Sequence, residues 1–240
     1  MFRPKDMGKD KQKPISSGNV ELDSRLGGGL PVGSLVLIEG SSGSGKSVLS
    51  QQLLFGSLNQ GMRVSLFTTE NGVKSLISQM GSIDLDIFEY LLLGKLRAFP
   101  IELSKLGDNA PVTLVQAMKR EYERGQNIVV VDSFTSAILN AQSDKPILTF
   151  FEECKRLCVQ GATIILTLHA QAISDDLSGP IRSICDANLN LKSMQDGQRL
   201  VKTLEVAKIR GAASATGAIV GFEVEPGWGM RVIPISKARG

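Results

Sequence analysis

The chain is poor in several residue types that support particular chemistries. Its 240 residues include one histidine, one tryptophan, two tyrosines and three cysteines. The cysteines, Cys154, Cys158 and Cys185, are odd in number, and the first two lie four apart in a segment of helical period. A metal site would want more ligands, so they read as buried thiols in a reducing compartment. No apolar run approaches the roughly 18 residues of a membrane span, and no secretory signal heads the sequence, so the expected location is cytoplasmic. Charge of one sign is scarce too: 27 Lys and Arg face 24 Asp and Glu, a net +3. That balance argues against a dedicated nucleic-acid binder without a local basic patch.

What is present suits one sizeable core, since single domains stay workable to roughly 250 residues. Residues 1–17 carry Arg3, Lys5, Lys9, Lys11 and Lys13 with two prolines and little that is apolar. They read as a flexible basic tail, followed by a single domain over 18–240.

From Gly18 onward, short runs rich in Val, Ile and Leu alternate with segments of helical period, the pattern of a parallel sheet covered by helices. Strands are expected at 35–39, 63–68, 127–132 and 163–168, and helices at 47–58, 73–80, 112–124 and 146–160. Gly61, Gly125 and Gly161 follow three of these helices as stops. After Asp186 the period changes, and strands at 187–194, 199–209, 218–223 and 230–235 read as an antiparallel extension with turns such as "QDGQ" and "EPGWG". The fold class is therefore α/β, a mostly parallel central sheet with a C-terminal antiparallel hairpin extension.

The stretch Gly40-Ser41-Ser42-Gly43-Ser44-Gly45-Lys46-Ser47 matches G-x-x-x-x-G-K-[ST] between a strand and a helix. Its glycines let successive N–H groups point into one concavity, and the following helix, over 47–58, adds its positive end. Lys46 supplies a mobile cation and Ser47 a hydroxyl for magnesium. A plain glycine-rich turn would explain neither of these last two residues.

Such a loop needs an acid on a neighbouring buried strand. "NIVVVDSF" puts Asp132 after four β-branched residues, as in a Walker B strand. Hydrolysis needs a further group to orient or deprotonate water. Glu70, ending "RVSLFTTE", is the candidate base, or else a cap for the helix that follows. Its neighbour Asn71 cannot be a base. "TIILTLHA" delivers Thr167 and His169 to the same sheet edge, His169 being either a phosphate sensor or a structural residue. In "LEVAKIRGA", Lys208 and Arg210 are two apart, so both project from one strand face. They could reach a neighbouring subunit's phosphate, or serve as a solubility device on an edge strand.

The run "GNVELDSRLGGGLPVGSLVLIEGSSGSGKS" resembles the start of the RecA/KaiC-like P-loop ATPases. The ending "KIRGA…GFEVEPGWGMRVIPISKA" is similar to that of the FlaH family, the accessory ATP-binding proteins of the archaeal flagellum (archaellum). The resemblance implies a RecA/KaiC-like fold, ATP on Gly40 to Ser47 with Val48, and Mg2+ served by Ser47 and Asp132 directly or through water. Glu70 would occupy the first position of the KaiC-type catalytic pair. Asn71 departs from that pair, which implies slow hydrolysis or none. Lys208 and Arg210 match the K-x-R element that acts in trans in KaiC-like rings, so a hexameric homo-oligomer is implied. The implied partners are the archaellum motor ATPase and the membrane platform protein, at the cytoplasmic face of the membrane.

Three functions fit a phosphate loop in such a chain. One is a nucleotide-controlled regulator, in which ATP favours one conformation or ring and slow turnover resets it. A second is a RecA-like DNA-dependent ATPase, but "QAISDDLSGPIRSICD", read as the loop before the hairpin, sets one arginine against three aspartates, so no DNA partner is expected. A third is a KaiC-like autophosphorylating kinase, although the clock protein carries two such domains and this chain has one.

Overall fold

A computed structural model describes residues 13–196, 199–211 and 216–234. Helix α1 spans Val20–Arg25, β1 Leu35–Gly40, α2 Lys46–Asn59, β2 Val64–Thr68, α3 Val73–Ser82, α4 Phe88–Leu92 and β3 Leu96–Pro100. A short 3-10 segment at Leu103–Asn109 leads into α5, Ala110–Glu123, then β4, Ile128–Asp132, α6, Thr135–Leu139, α7, Asp144–Val159, and β5, Thr163–His169. Helix α8 is Asp175–Ile184, followed by β6, Ala187–Asp196, β7, Arg199–Ile209, β8, Ile219–Glu225, and β9, Gly229–Ile233. Among the described residues no helix is long and apolar enough to cross a membrane.

The nine strands among the described residues form one sheet in the order β3-β2-β4-β5-β1-β6-β7-β8-β9. Pairing is parallel from β3 to β6 and antiparallel from β6 to β9. The expected α/β class and antiparallel extension are thus both present. Both faces of the parallel part are covered, which is why its strands read as continuous apolar runs rather than alternating ones. Successive residues still go to opposite sides: Val36 and Ile38 join the core beneath α2, and Leu35 and Leu37 the core beneath α5, α7 and α8. On the second side Phe134, Phe150 and Phe151 stack and abut edge to face, with Phe134 and Phe150 centroids 4.1 Å apart. This cluster anchors the chain two residues beyond Asp132.

Several elements lie outside the sequence expectation. Strand β3 pairs only with β2, and its sequence, LRAFP, has no β-branched residue and ends in proline. The segment expected as a loop before the hairpin contains α8, despite Gly179 and Pro180. Ser174 caps it by accepting from the Leu177 N–H, and Leu177 and Ile181, four apart, are buried against α7. Burial of that stripe outweighs poor local propensity. The expected tail also ends earlier than residue 17. Ile15 is fully buried and bridges to Leu30, and the Ser17 N–H and hydroxyl both donate to Asp23. Residues 1–12, residues 197 and 198 of the "QDGQ" turn and the end of the last expected strand lie outside the described residues.

Candidate nucleotide site

The C-terminal ends of β1, β2, β4 and β5 converge on one edge of the sheet. Register fixes the levels: Gly40 stands beside His169, and Thr68 beside Asp132. The loop from Gly40 to Gly45 then carries the chain into α2, most of whose residues are buried. Two glycines here are required by geometry. A Cβ on Gly40 would come within 2.5 Å of both the Leu191 carbonyl and the Ser44 hydroxyl. Gly45 caps α2 in the left-handed region at φ 100°, with the Phe222 ring 3.1 Å from where its Cβ would stand. The antiparallel extension therefore packs directly on the loop; a side chain is excluded at Gly40, and at Gly45 it would strain the backbone and press on Phe222.

Below the loop, Asp132 is buried, and one oxygen, Oδ1, accepts from Thr167 Oγ1 at 2.6 Å and from Ser47 Oγ at 3.2 Å. Burial pushes its carboxyl above the usual range, the Thr167 bond opposes that, and nearby Glu70 adds to it. Lys46 Nζ donates to the Ser41 carbonyl at 2.8 Å, folded back over its own loop. Burial lowers its pKa, while Glu70 and Asp132 pull it back up. His169 is lowered by burial and by Lys46, which favours the neutral imidazole at the cleft.

Above them lies a cleft of about 280 Å³ with Ser42, Gly43, Gly45, Lys46, Ser47, Val48, Glu70 and His169 on its walls. Glu70 is exposed there, and its side chain caps nothing. The neighbouring Asn71 takes the bracing role instead: it accepts from Ser75 Oγ and donates to Gln79 on α3. Ser41 borders a second cavity on the other side of the loop, with Glu39 and Arg182. Buried Glu39 forms a two-pronged ion pair with Arg182 of α8, at 2.9 and 3.2 Å. The three cysteines are buried free thiols, as expected; burial pushes Cys158 up to about 12 and raises the other two as well.

The sequence reading missed one wall of the cleft, Lys202 of β7. It lies on the same strand face as the buried Leu204 and Val206, the face that meets α2. That alternation is visible in the sequence, but which face meets the phosphate loop is not.

Lys208 and Arg210 stand elsewhere. Val206 pairs with Leu189 and Lys208 with Asn188, so Ala207 is an extra residue, a β-bulge. The bulge sends the next two cations to the opposite face, at the C-terminal end of α8. Lys208 Nζ donates to the carbonyls of Cys185 at 2.7 Å and Arg182 at 3.0 Å, and Arg210 reaches the Ser183 carbonyl and Asp186. Basic groups suit the exposed carbonyls at a helix C-terminus. Both cations do share a face, as expected, but neither lines the cleft of its own chain.

The residues fit a nucleotide polyphosphate with a divalent cation. The loop's glycine geometry, a cationic Lys46 and the hydroxyl and carboxylate of Ser47 and Asp132 at 3.2 Å supply hard oxygen donors beside a phosphate cradle. The KaiC ATPase family model matches residues 15–237. The archaeal flagellar ATP-binding protein FlaH of Sulfolobus acidocaldarius is 34% identical over 228 residues, covering 94% of this chain and 99% of that one. The crystal structure of the flagellar accessory protein FlaH from Methanocaldococcus jannaschii superposes with a TM-score of 0.80 at 27% identity, over 93% of this chain and 99% of that one. A KaiC-like protein from Pyrococcus horikoshii shares the fold, with a TM-score of 0.77 at 22% identity over 92% of this chain and 99% of that one. With its phosphate loop, its Asp132 strand and near full-length agreement on both counts, the chain belongs to the KaiC-type ATPases and, within them, to the FlaH family of archaeal flagellar ATP-binding proteins.

Proposed function

We propose that the chain binds ATP at the Gly40–Ser47 loop and acts as a nucleotide-controlled regulatory subunit of the archaellum motor, with slow hydrolysis or none. The observation that carries this reading is the combination of the phosphate-loop cleft with a single carboxylate, Glu70, on its wall among the described residues. Asn71, which would stand in the second position of a catalytic pair, is held by Ser75 and Gln79. Mg2+ would be held by Ser47 and Asp132 and would offset phosphate charge. Thr167, by donating to Asp132, orients that carboxylate toward Ser47. Lys46 would leave the Ser41 carbonyl for the outer phosphates, and Glu70 would order or deprotonate water. His169, on the wall of the cleft, can report on the outer phosphate by hydrogen bonding.

Binding alone shifts a conformational equilibrium when the ligand favours one state, so regulation of this kind needs no fast chemistry. In the hexameric ring we propose, Lys208 and Arg210 act on the next subunit's nucleotide; their position outside their own cleft supports that role. The ring would engage the motor ATPase and the membrane platform protein at the cytoplasmic face of the membrane.

The test measures ATP binding, steady-state turnover and oligomer mass for the wild type, Lys46→Ala and Glu70→Gln. Lys46→Ala should weaken ATP at least about 100-fold, since a charge-assisted phosphate contact contributes about 3 kcal/mol. Glu70→Gln should keep affinity within about threefold and abolish residual turnover. Rapid turnover by the isolated wild type would sink the regulator reading. Unchanged binding by Lys46→Ala would sink the phosphate-loop assignment.

A further inference from the structure

Helix α4 presents an apolar face that nothing among the described residues covers. Ile87 is buried beneath it, yet Phe88, Leu92 and Leu93 are 51%, 72% and 68% exposed. Phe88 and Leu92 are four apart and share a side of the helix. At its N-terminal edge stand the exposed Asp84, Asp86 and Glu89, none of which forms an ion pair among the described residues. The nearest bases in sequence and contact, Lys95 and Arg63, lie toward the other end, where Arg63 meets the Gly94 carbonyl.

The start of the described chain runs past this helix. The Pro14 carbonyl accepts from Gln60 Nε2, and the Ser16 N–H donates to Gln60 Oε1. The adjacent Asn59 accepts from the Tyr90 hydroxyl of α4 at 2.7 Å. Residue 14 is thus two side-chain contacts and one peptide bond from α4. Residues 1–13 hold five bases against two acids, the whole of the chain's net +3, together with Met1, Phe2 and Met7.

We propose that the exposed face of α4, with Asp84, Asp86 and Glu89 at its edge, is the docking site for the chain's own residues 1–12. Three features select this occupant over another. The described chain begins beside the site, and twelve extended residues can span about 40 Å, several times the length of α4. Its bases complement the three acids, which steers docking and sets its direction. Its large apolar side chains can cover Phe88, Leu92 and Leu93, whose exposure otherwise costs free energy at roughly 25 cal/mol per Å². Because the segment is tethered, even a weak contact is favoured by a high effective concentration.

The experiment uses the full chain with a photoreactive benzoylphenylalanine at position 92, irradiated at low concentration, with the crosslinked peptides mapped by mass spectrometry. The expected product has monomer mass and joins position 92 to residues 1–12. Combining Asp84→Lys, Asp86→Lys and Glu89→Lys should cut its yield about fivefold, as expected for the loss of several exposed charge pairs. Adding Lys5→Glu, Lys9→Glu and Lys11→Glu should restore it. Asp86 also accepts from the Phe88 N–H, so if the triple variant loses its helical circular dichroism, the pair Asp84→Lys and Glu89→Lys replaces it. The proposal is overturned if crosslinks map to other segments, if the product has doubled mass, or if charge reversal leaves the yield unchanged.

Discussion

The two ends of β7 carry cations to two different places. Near its start, Lys202 joins the phosphate-loop cleft on the α2 side. Near its end, Lys208 and Arg210 cross to the α8 side and occupy the carbonyls that end that helix. Only the bulge at Ala207 separates the two arrangements, because a regular alternation from Lys202 would return Lys208 to the cleft face. One inserted residue therefore divides a strand between a binding surface and a brace. The brace connects back to the loop: Lys208 holds the Arg182 carbonyl, and the Arg182 guanidinium holds Glu39, the residue before Gly40.

If the far end is a brace, its largest effect will be on stability. Asp186 is the hub there, 8% exposed, accepting from the Leu35 N–H at 2.9 Å and from Lys155 and Arg210. Asp186→Ala leaves a buried N–H and two cations without their acceptor, and should cost about 3 kcal/mol. Urea unfolding without nucleotide measures this, as a lower midpoint with the slope unchanged. A cost under about 0.5 kcal/mol, the level of an ordinary surface change, would show that this end holds nothing together.

The near end should show the reverse pattern. Lys202→Gln removes a half-exposed cation that makes no ion pair among the described residues, so unfolding should be unaffected. Affinity for ATP should fall about tenfold, equivalent to about 1.4 kcal/mol, with Lys202→Arg recovering most of it. Titration of a fluorescent ATP analogue at two salt concentrations would measure both the loss and its electrostatic origin. Equal affinity in wild type and Lys202→Gln would remove Lys202 from the site and leave Lys46 as the cleft's cation.

The difference between the ends also explains what was legible beforehand. Gly40 to Ser47 and the strand ending at Asp132 could be read directly, because a phosphate cradle and a fully buried strand each impose residue types at fixed spacing. Strand 199–209 was legible to the residue, and so was the shared face of Lys208 and Arg210. The bulge was not, since Ala207 differs from its neighbours only in how β6 pairs with it. Helix α8 was hidden because Gly179 and Pro180 disfavour it locally, and only packing of Leu177 and Ile181 on α7 reveals why it forms. Ile15 was hidden for the same reason: one apolar residue after a run of lysines signals burial only once Leu30 is known to lie beside it.

The smallest effect belongs to Arg210→Gln, and it separates a brace in cis from a contact in trans. The guanidinium is 53% exposed and its bond to Asp186 is 3.3 Å, while Lys155 holds the same carboxylate more closely. An exposed pair of this kind contributes at most about 1 kcal/mol, so unfolding should shift little. In dilute, unassembled protein, ATP affinity should match the wild type, because Arg210 faces away from its own cleft. At concentrations where subunits associate, the variant should bind ATP more weakly than the wild type, or need more protein to assemble with it, since the two equilibria are linked. Sedimentation with and without ATP reads both quantities in one experiment. Loss of affinity already in the dilute protein would mean that Arg210 acts within its own chain, through Ser183 and Asp186. No change at any concentration would confine Arg210 to bracing α8.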